Sequence, residues 1–239
     1  MIGKIINRFR KTEKQKQFYA ELNEFRKLSK NRFTINDEDI KACLYDATAT
    51  TGFDAHYVYH PAWASRIVKQ ISPSKHIDIS STLNFCTQLS AFLPVEFYDY
   101  RPAPLTLSNL KSMRGDLTAL PFADSSVESI SCMHTIEHIG LGRYGDPIDP
   151  DGDIKAIEEL KRVIAPNGNL LFVVPMGKPR IQFNAHRIYS FEMIEQLLPE
   201  FELRNFSLVT DNNEFIWEAD TDLVSEQKYG CGCFWFVKK

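Results

Sequence analysis

From residue 76 onward the apolar positions change period repeatedly, from runs of strand length to the three-and-four spacing of a helix and back. His76 to Ser80 (HIDIS) is a short strand, and Leu83 to Leu93 is a helix stopped by Pro94. Val95 to Asp99 (VEFYD) is a second strand, Leu110 to Arg114 a third ended by Gly115, and Val127 to His134 (VESISCMH) a fourth. Asp153 to Ile164 places Ile154, Ile157, Leu160 and Ile164 on one helical face. Asn167-Gly168 turns the chain into a fifth strand, Asn169 to Val174. Ser190 caps a helix through Leu198, and two late strands follow, Glu202 to Val209 and Cys231 to Val237. Strands alternating with helices at this spacing predict an α/β fold, a doubly wound, mostly parallel seven-stranded sheet with helices on both faces.

The first sixty residues follow another pattern. Ile2, Ile5, Ile6 and Phe9 recur at helical spacing, with Lys4, Arg8 and Lys11 on the other face, and Phe18, Leu22 and Phe25 continue the period. Residues 33 to 60 show no long period, and a helix is expected from Pro61, with proline near its first turn. The expected organisation is a basic N-terminal helical extension over 1–60 and an α/β domain over 61–239. Residues 1 to 32 carry ten Lys/Arg against three Glu, about +7, which leaves the rest near -10 within a net charge of -3. The main body is therefore no partner for nucleic acid. The basic arm suits peripheral contact with an anionic membrane, packing on its own domain, or self-association.

Composition adds little: 44% hydrophobic and 25% charged residues are ordinary for a globular chain. The apolar stretch Leu170 to Val174 falls far short of the roughly 20 residues that span a bilayer. The N-terminus has no signal-peptide pattern, and five cysteines without framework spacing suit reduced thiols, so a cytoplasmic location is expected.

In parallel sheets of this kind, ligands sit beyond the carboxyl ends of the strands. Asp78 stands in the first strand, before the turn Ser80-Ser81-Thr82. Asp99 ends the second strand 21 residues later, where a carboxylate can accept both ribose hydroxyls, and Asp116-Leu117 follows the third. Residues 76 to 175, with Ala119-Leu120-Pro121-Phe122 after the third strand, resemble the class I S-adenosylmethionine-dependent methyltransferases. The run HTIEHIGLGRYGDPIDPDGDIKAIEELKRVIAPNG (His134 to Gly168) is most similar to a methyltransferase-like family without an assigned substrate.

The resemblance implies S-adenosylmethionine as cofactor. Asp78, Ser80 and Ser81 would lie at its methionine part, Asp99 at the ribose, Asp116 and the Leu117 amide at the adenine, and His134 against the cofactor. It also implies methyl transfer to a small-molecule or glycan-like acceptor, with His138 and His186 as candidate bases, because imidazole titrates near neutral pH. One departure matters: where the family places glycines in the first turn, this chain has Ser80, Thr82 and Asn84. Thr82 is β-branched and replaces glycine poorly, which predicts weakened cofactor binding. A degenerate methyltransferase fold serving as a non-catalytic binding or scaffold module is the alternative. A nicotinamide-dependent oxidoreductase is disfavoured because G-x-G-x-x-G is missing.

No metal site is expected. His134 to His138 reads H-x-x-E-H, a zinc-peptidase pattern, but that pattern needs a helix and a strand precedes it here. Cys231-Gly232-Cys233 is read as core packing. Asp146, Asp149, Asp151 and Asp153 are spaced wrongly for a calcium loop; they form a flap ending on an N-capping Asp153 before Ile154. Lys178, Arg180, His186 and Arg187, with nearby aromatics, are candidate contacts for an acidic or sugar-like substrate.

Overall fold

A computed structural model describes residues 12–30 and 32–239. The chain divides into two compact units, residues 1–53 and 54–239. In the first, α1 (Glu13–Leu28) opens on a capping box in which the Thr12 hydroxyl accepts from the Gln15 amide and the Gln15 side chain accepts from the Thr12 amide. Glu13 in the first turn and Arg26 and Lys27 in the last complement the helix dipole. No residue of α1 is buried, so the apolar stripe read from Phe18, Leu22 and Phe25 forms a helix without sinking into a core. The run from Ile2 to Phe9 lies outside the described residues.

The second unit runs α2 (Ala55–Ile71), β1 (His76–Ile79), α3 (Leu83–Leu89), β2 (Val95–Asp99), β3 (Leu110–Arg114), β4 (Val127–Met133), α4 (Gly152–Val163), β5 (Ile164–Met176), β6 (Arg180–Gln182), β7 (His186–Ile188), α5 (Phe191–Leu197), β8 (Phe201–Val209), β9 (Phe215–Ile216) and β10 (Gly230–Lys238). One sheet has eight strands in the order β3-β2-β1-β4-β5-β10-β8-β9, while β6 and β7 form a separate hairpin. β1 to β5 pair in parallel, and β10 runs antiparallel between β5 and β8. The chain reverses direction across the sheet between β1 and β4, the switch point at which such folds open a crevice.

The two faces follow from strand alternation. Ile77, Ile79, Ile130, Phe172 and Val174 pack on one side with Ile157 and Leu160 of α4 and Ile194 of α5. Phe97, Met133, Leu171 and Val173 pack on the other with Trp63 and Ile67 of α2 and Phe85 of α3. His76 and Asp78 alternate with Ile77 and Ile79, and the His76 ring meets Phe85 of α3 edge-on at 6.0 Å. Two polar side chains thus stand in the second core.

Several elements depart from the sequence pattern. The sheet has eight strands because the two-residue β9 pairs with β8 at the edge. The β6–β7 hairpin is three residues on each side, too short to show a period. α2 begins at Ala55, so Pro61 lies inside the helix, where it lacks the N–H that would reach the Tyr57 carbonyl. The helix persists because Asp54 caps it and because Ala55, His60, Trp63, Ala64, Ile67 and Val68 bury one stripe. Asp153 is not a cap: α4 starts at Gly152, and Asp153 is buried in its first turn, accepting from the Tyr189 hydroxyl at 2.9 Å.

Candidate active site

The tips of β1, β2 and β3 stand side by side. Ile79 is level with Tyr98, and Tyr98 with Met113. Beyond them the Ser80 amide donates to the Tyr98 carbonyl (2.8 Å) and the Gly115 amide to the Asp99 carbonyl (3.0 Å). Ser80 has φ 52°, the left-handed conformation that the first glycine of such a turn supplies, and its hydroxyl donates to the Tyr98 carbonyl at 3.2 Å. Thr82 has φ −84° and caps α3 by accepting from the Phe85 amide, so the β-branched residue sits where it is favourable.

Below the turn runs a fully buried polar chain. The Ser131 hydroxyl donates to Asp78 Oδ1 (2.9 Å), so it must accept from His76 Nε2 (2.9 Å); His76 Nδ1 is left to accept from the Ser129 hydroxyl (2.8 Å). Burial holds the His76 pKa down at about 3. Burial pushes Asp78 up to about 7 despite the hydroxyl and amide of Ser81 and the Ser131 hydroxyl, which pull it down. Asp78 Oδ2 is buried without a well-directed partner.

A cleft of about 140 Å³ lies against these tips, lined by Ser80, Tyr100, Asp116, Leu117, Thr135 and His138 on the sheet side and by residues of the 140–152 loop on the other. Asp99 accepts from the Arg101 amide (2.6 Å), and Asp116 from the amide and hydroxyl of Thr118 (2.8 and 2.7 Å). The loop is held by its own hydrogen bonds. Asp146 accepts from the amides of Gly140, Gly142 and Tyr144, and Tyr144 lies under the Arg101 guanidinium at 4.5 Å. A Cβ at Gly140 (φ +79°) would fall 2.0 Å from the Asp149 carbonyl oxygen, so this turn admits glycine alone. Arg187 fastens both ends, donating to the carbonyls of Ile139 (2.6 Å) and Pro150 (3.1 Å). A larger groove of about 750 Å³ lies between α2 and α3 at the amino ends of the strands, away from the tips.

On the far side of β4, histidines and aromatics gather. His134 (φ 54°) is buried, its Nδ1 2.9 Å from Glu137 Oε1; its ring stacks on His56 (5.4 Å) and meets His60 at 5.1 Å. Burial pulls the His134 pKa down, but Cys231 and Glu137 outweigh it and the net direction is upward. Burial also keeps the Cys231 thiol protonated, so Glu137 is the partner that sustains that direction. His56 is lowered to about 4, by burial and then by His134. His138 Nδ1 lies 2.6 Å from the Ala185 carbonyl, to which it must donate, leaving the Nε2 lone pair free. The His138 and His186 rings meet at 6.4 Å, and burial lowers both pKa values.

Similarity to known proteins agrees with this architecture. A family profile described as "Caenorhabditis protein of unknown function, DUF268" matches residues 121–228. No curated protein matches the chain. Among solved structures, the 1,6-didemethyltoxoflavin-N1-methyltransferase of Burkholderia thailandensis, determined with 1,6-didemethyltoxoflavin and S-adenosylhomocysteine, aligns with TM-score 0.55 at 12% identity over 76% of this chain and 79% of its own. YcgJ of Bacillus subtilis aligns with TM-score 0.54 at 12% identity over 76% and 99%. The fold is that of the class I methyltransferases. The cyclase SpnF has it too (TM-score 0.51, 12% identity, 74% and 80% covered), so the methyltransferase fold by itself does not set the reaction.

Within that methyltransferase fold, the expected site residues divide into groups. Ser80, Asp116, Leu117 and His138 line the cleft. Asp78 and Ser81 lie beneath the turn, where the Ser81 hydroxyl accepts from the Met133 amide (3.2 Å), and Asp99 stands at the neighbouring tip. His134 turns its ring toward α2, and His186 lies beside His138 and Tyr229. Arg187 and Tyr189 are buried in structural bonds, and Arg180 is tied to the carbonyls of Lys178 and Lys228, so these three are not free substrate contacts. Sequence reasoning missed His56, Tyr57 and His60, which share one end of α2; histidines at 56 and 60, four apart, were the signal.

Proposed function

We propose that the protein is a cytoplasmic S-adenosylmethionine-dependent methyltransferase acting on a small-molecule or glycan-like acceptor. The observation that carries this reading is the row of adjacent strand tips: Ser80 in glycine's conformation above Asp78, whose buried Oδ2 lacks a partner, then Asp99, then Asp116. Asp78, Ser80 and Ser81 suit the amino-acid end of the cofactor, Asp99 its ribose, and Asp116 with the Leu117 amide its adenine. S-Adenosylmethionine bound there supplies a methyl group already activated by its sulfonium, so the protein's tasks are alignment, exclusion of water and proton removal. The flap excludes water. His138 and His186, neutral at pH 7 because burial lowers both, take the acceptor's proton. Five unpaired cysteines fit a reducing compartment.

Calorimetry with S-adenosylmethionine and S-adenosylhomocysteine tests the reading: binding is expected, weakened at least about tenfold in Asp99→Ala, one lost charged hydrogen bond. The competing non-catalytic module is favoured by the cleft, whose roughly 140 Å³ is below the 300 Å³ or so of ordinary small-molecule sites. Absence of heat at millimolar ligand would leave only that module. For the basic segment 1–32 the role is contact with an anionic membrane or with a second copy, which vesicle cosedimentation and solution mass distinguish.

A further inference from the structure

We propose that His56, His134 and Cys231 form a binding site for a borderline-soft transition-metal dication such as zinc. Their ligand atoms lie within 4.8 Å of one another although they come from the first turn of α2, the residue after β4 and the second residue of β10. Two imidazoles and a thiol select this class of ion over magnesium or calcium, which take oxygen. Around a tetrahedral ion such ligand atoms stand roughly 3.3 to 3.6 Å apart, from bond lengths of about 2.0 to 2.3 Å. The contraction is at most about 1.2 to 1.5 Å, within reach of rotation at half-buried His56.

A second observation points to a ligand. The His134 side chain is 3% exposed, and its Nε2 has no well-directed hydrogen-bond partner while Glu137 holds Nδ1. That is how a carboxylate orients a metal-binding histidine, fixing one nitrogen and presenting the other. Glu137 Oε2 is also buried and unpartnered, and a dication beside its histidine supplies counter-charge to that carboxylate. On binding, the Cys231 thiol and the Nε2–H of the His134 imidazolium each release a proton to solvent; the thiolate forms the metal–sulfur bond, and the neutral His56 and His134 rings each donate a lone pair, His134 keeping its Nδ1–H on Glu137. Three protein ligands leave the fourth position for water or for an oxygen or nitrogen of an acceptor. It lies near the candidate bases, since Tyr229 stacks on His56 (5.2 Å) and meets the His186 ring at a tilt (4.8 Å). None of this depends on S-adenosylmethionine binding.

The full chain, stripped with chelator, is titrated with cobalt(II) and zinc(II). One equivalent of cobalt is expected to give the visible absorption of four-coordinate cobalt and a near-ultraviolet thiolate-to-cobalt band, which zinc displaces. The band disappears in Cys231→Ser and persists in Cys233→Ser, although the two sulfurs are 3.9 Å apart. His56→Ala, at a half-buried position that tolerates truncation, lowers affinity by at least about a hundredfold, the top of the range for losing a supporting residue. Circular dichroism confirms that each variant is folded. No thiolate band, or unchanged affinity in folded His56→Ala, overturns the proposal and leaves a metal-free imidazolium–carboxylate pair.

Discussion

Asp78→Asn removes one buried charge with almost no change of shape, and its effect on stability and on ligand binding should have opposite signs at alkaline pH. The carboxyl titrates at about 7 in the folded chain against 3.8 as the reference value. A raised carboxyl pKa means that stability is fully present below 3.8 and is lost as pH climbs through 7. Linkage puts the destabilisation at roughly 2 kcal/mol at pH 5 and roughly 4 kcal/mol at pH 8, a difference of about 2 to 3 kcal/mol that the amide does not share. The amide also places a donor where Oδ2 has no partner, which costs about 1 to 3 kcal/mol at every pH. The variant is therefore expected to gain about 2 to 3 kcal/mol on the parent between pH 5 and pH 8 in urea unfolding, whatever its offset. His76, lowered to about 3, loses stability as pH falls below 6.5, but it is present in both proteins and cancels. Calorimetry on the same variant should show S-adenosylmethionine binding weakened at least about tenfold, since an amide NH₂ faces a cationic ligand. Stability curves that stay parallel within about 0.5 kcal/mol across this pH range would refute the desolvation argument; unchanged ligand affinity would remove Asp78 from the cofactor set.

Three further outcomes are expected. Ser80→Gly relieves a left-handed serine, about 1 to 2 kcal/mol, and loses one hydroxyl bond, about 0.5 to 1 kcal/mol, so it should stabilise by about 1 kcal/mol in urea unfolding without weakening cofactor binding. Arg187→Ala empties the clamp on Ile139 and Pro150 and should destabilise by about 3 kcal/mol, with proteolytic nicking between residues 140 and 150 rising in limited digestion. His138→Gln should lower kcat by about 10² to 10⁴ with any acceptor that turns over while calorimetric affinity for S-adenosylmethionine is retained; a loss confined to KM would make it a contact and not a base.

The sheet was legible because each strand tip is marked in the sequence. β2 and β3 have the expected bounds, and β1 and β4 end one residue early, each just before a residue with positive φ, Ser80 and His134. What the pattern hid was decided by tertiary packing. Pro61 reads as a helix start, yet the buried stripe through Trp63, whose indole donates to Asn205 (3.0 Å), carries α2 back to Ala55. The same boundary conceals the histidine cluster, because residues without a visible period cannot be placed on a helix beside His134. Arg187 reads as a substrate contact and Asp153 as a helix cap; both are buried, since carbonyls of the 139–150 loop and the Tyr189 hydroxyl need partners that sequence spacing does not reveal.

The missing glycines acquire a different meaning once two positions are considered together. Ser80 and His134 are both non-glycine residues with positive φ, they follow β1 and β4 on either side of the switch point, and each conformation costs of order 1 to 2 kcal/mol. Thr135 ties them, its hydroxyl shared among the carbonyls of Ile79 (3.2 Å), Ser80 (3.1 Å) and Met133 (3.3 Å). A turn that had merely lost its function would relax into an ordinary conformation. Here glycine's geometry is kept against its cost, and the side chains that glycine lacks are put to use: Ser80 bonds the next strand, and His134 turns its ring to Glu137 and Cys231. The left-handed turns beside the crevice are thus formed without glycine, and the Ser80 and His134 side chains decide which groups stand next to them.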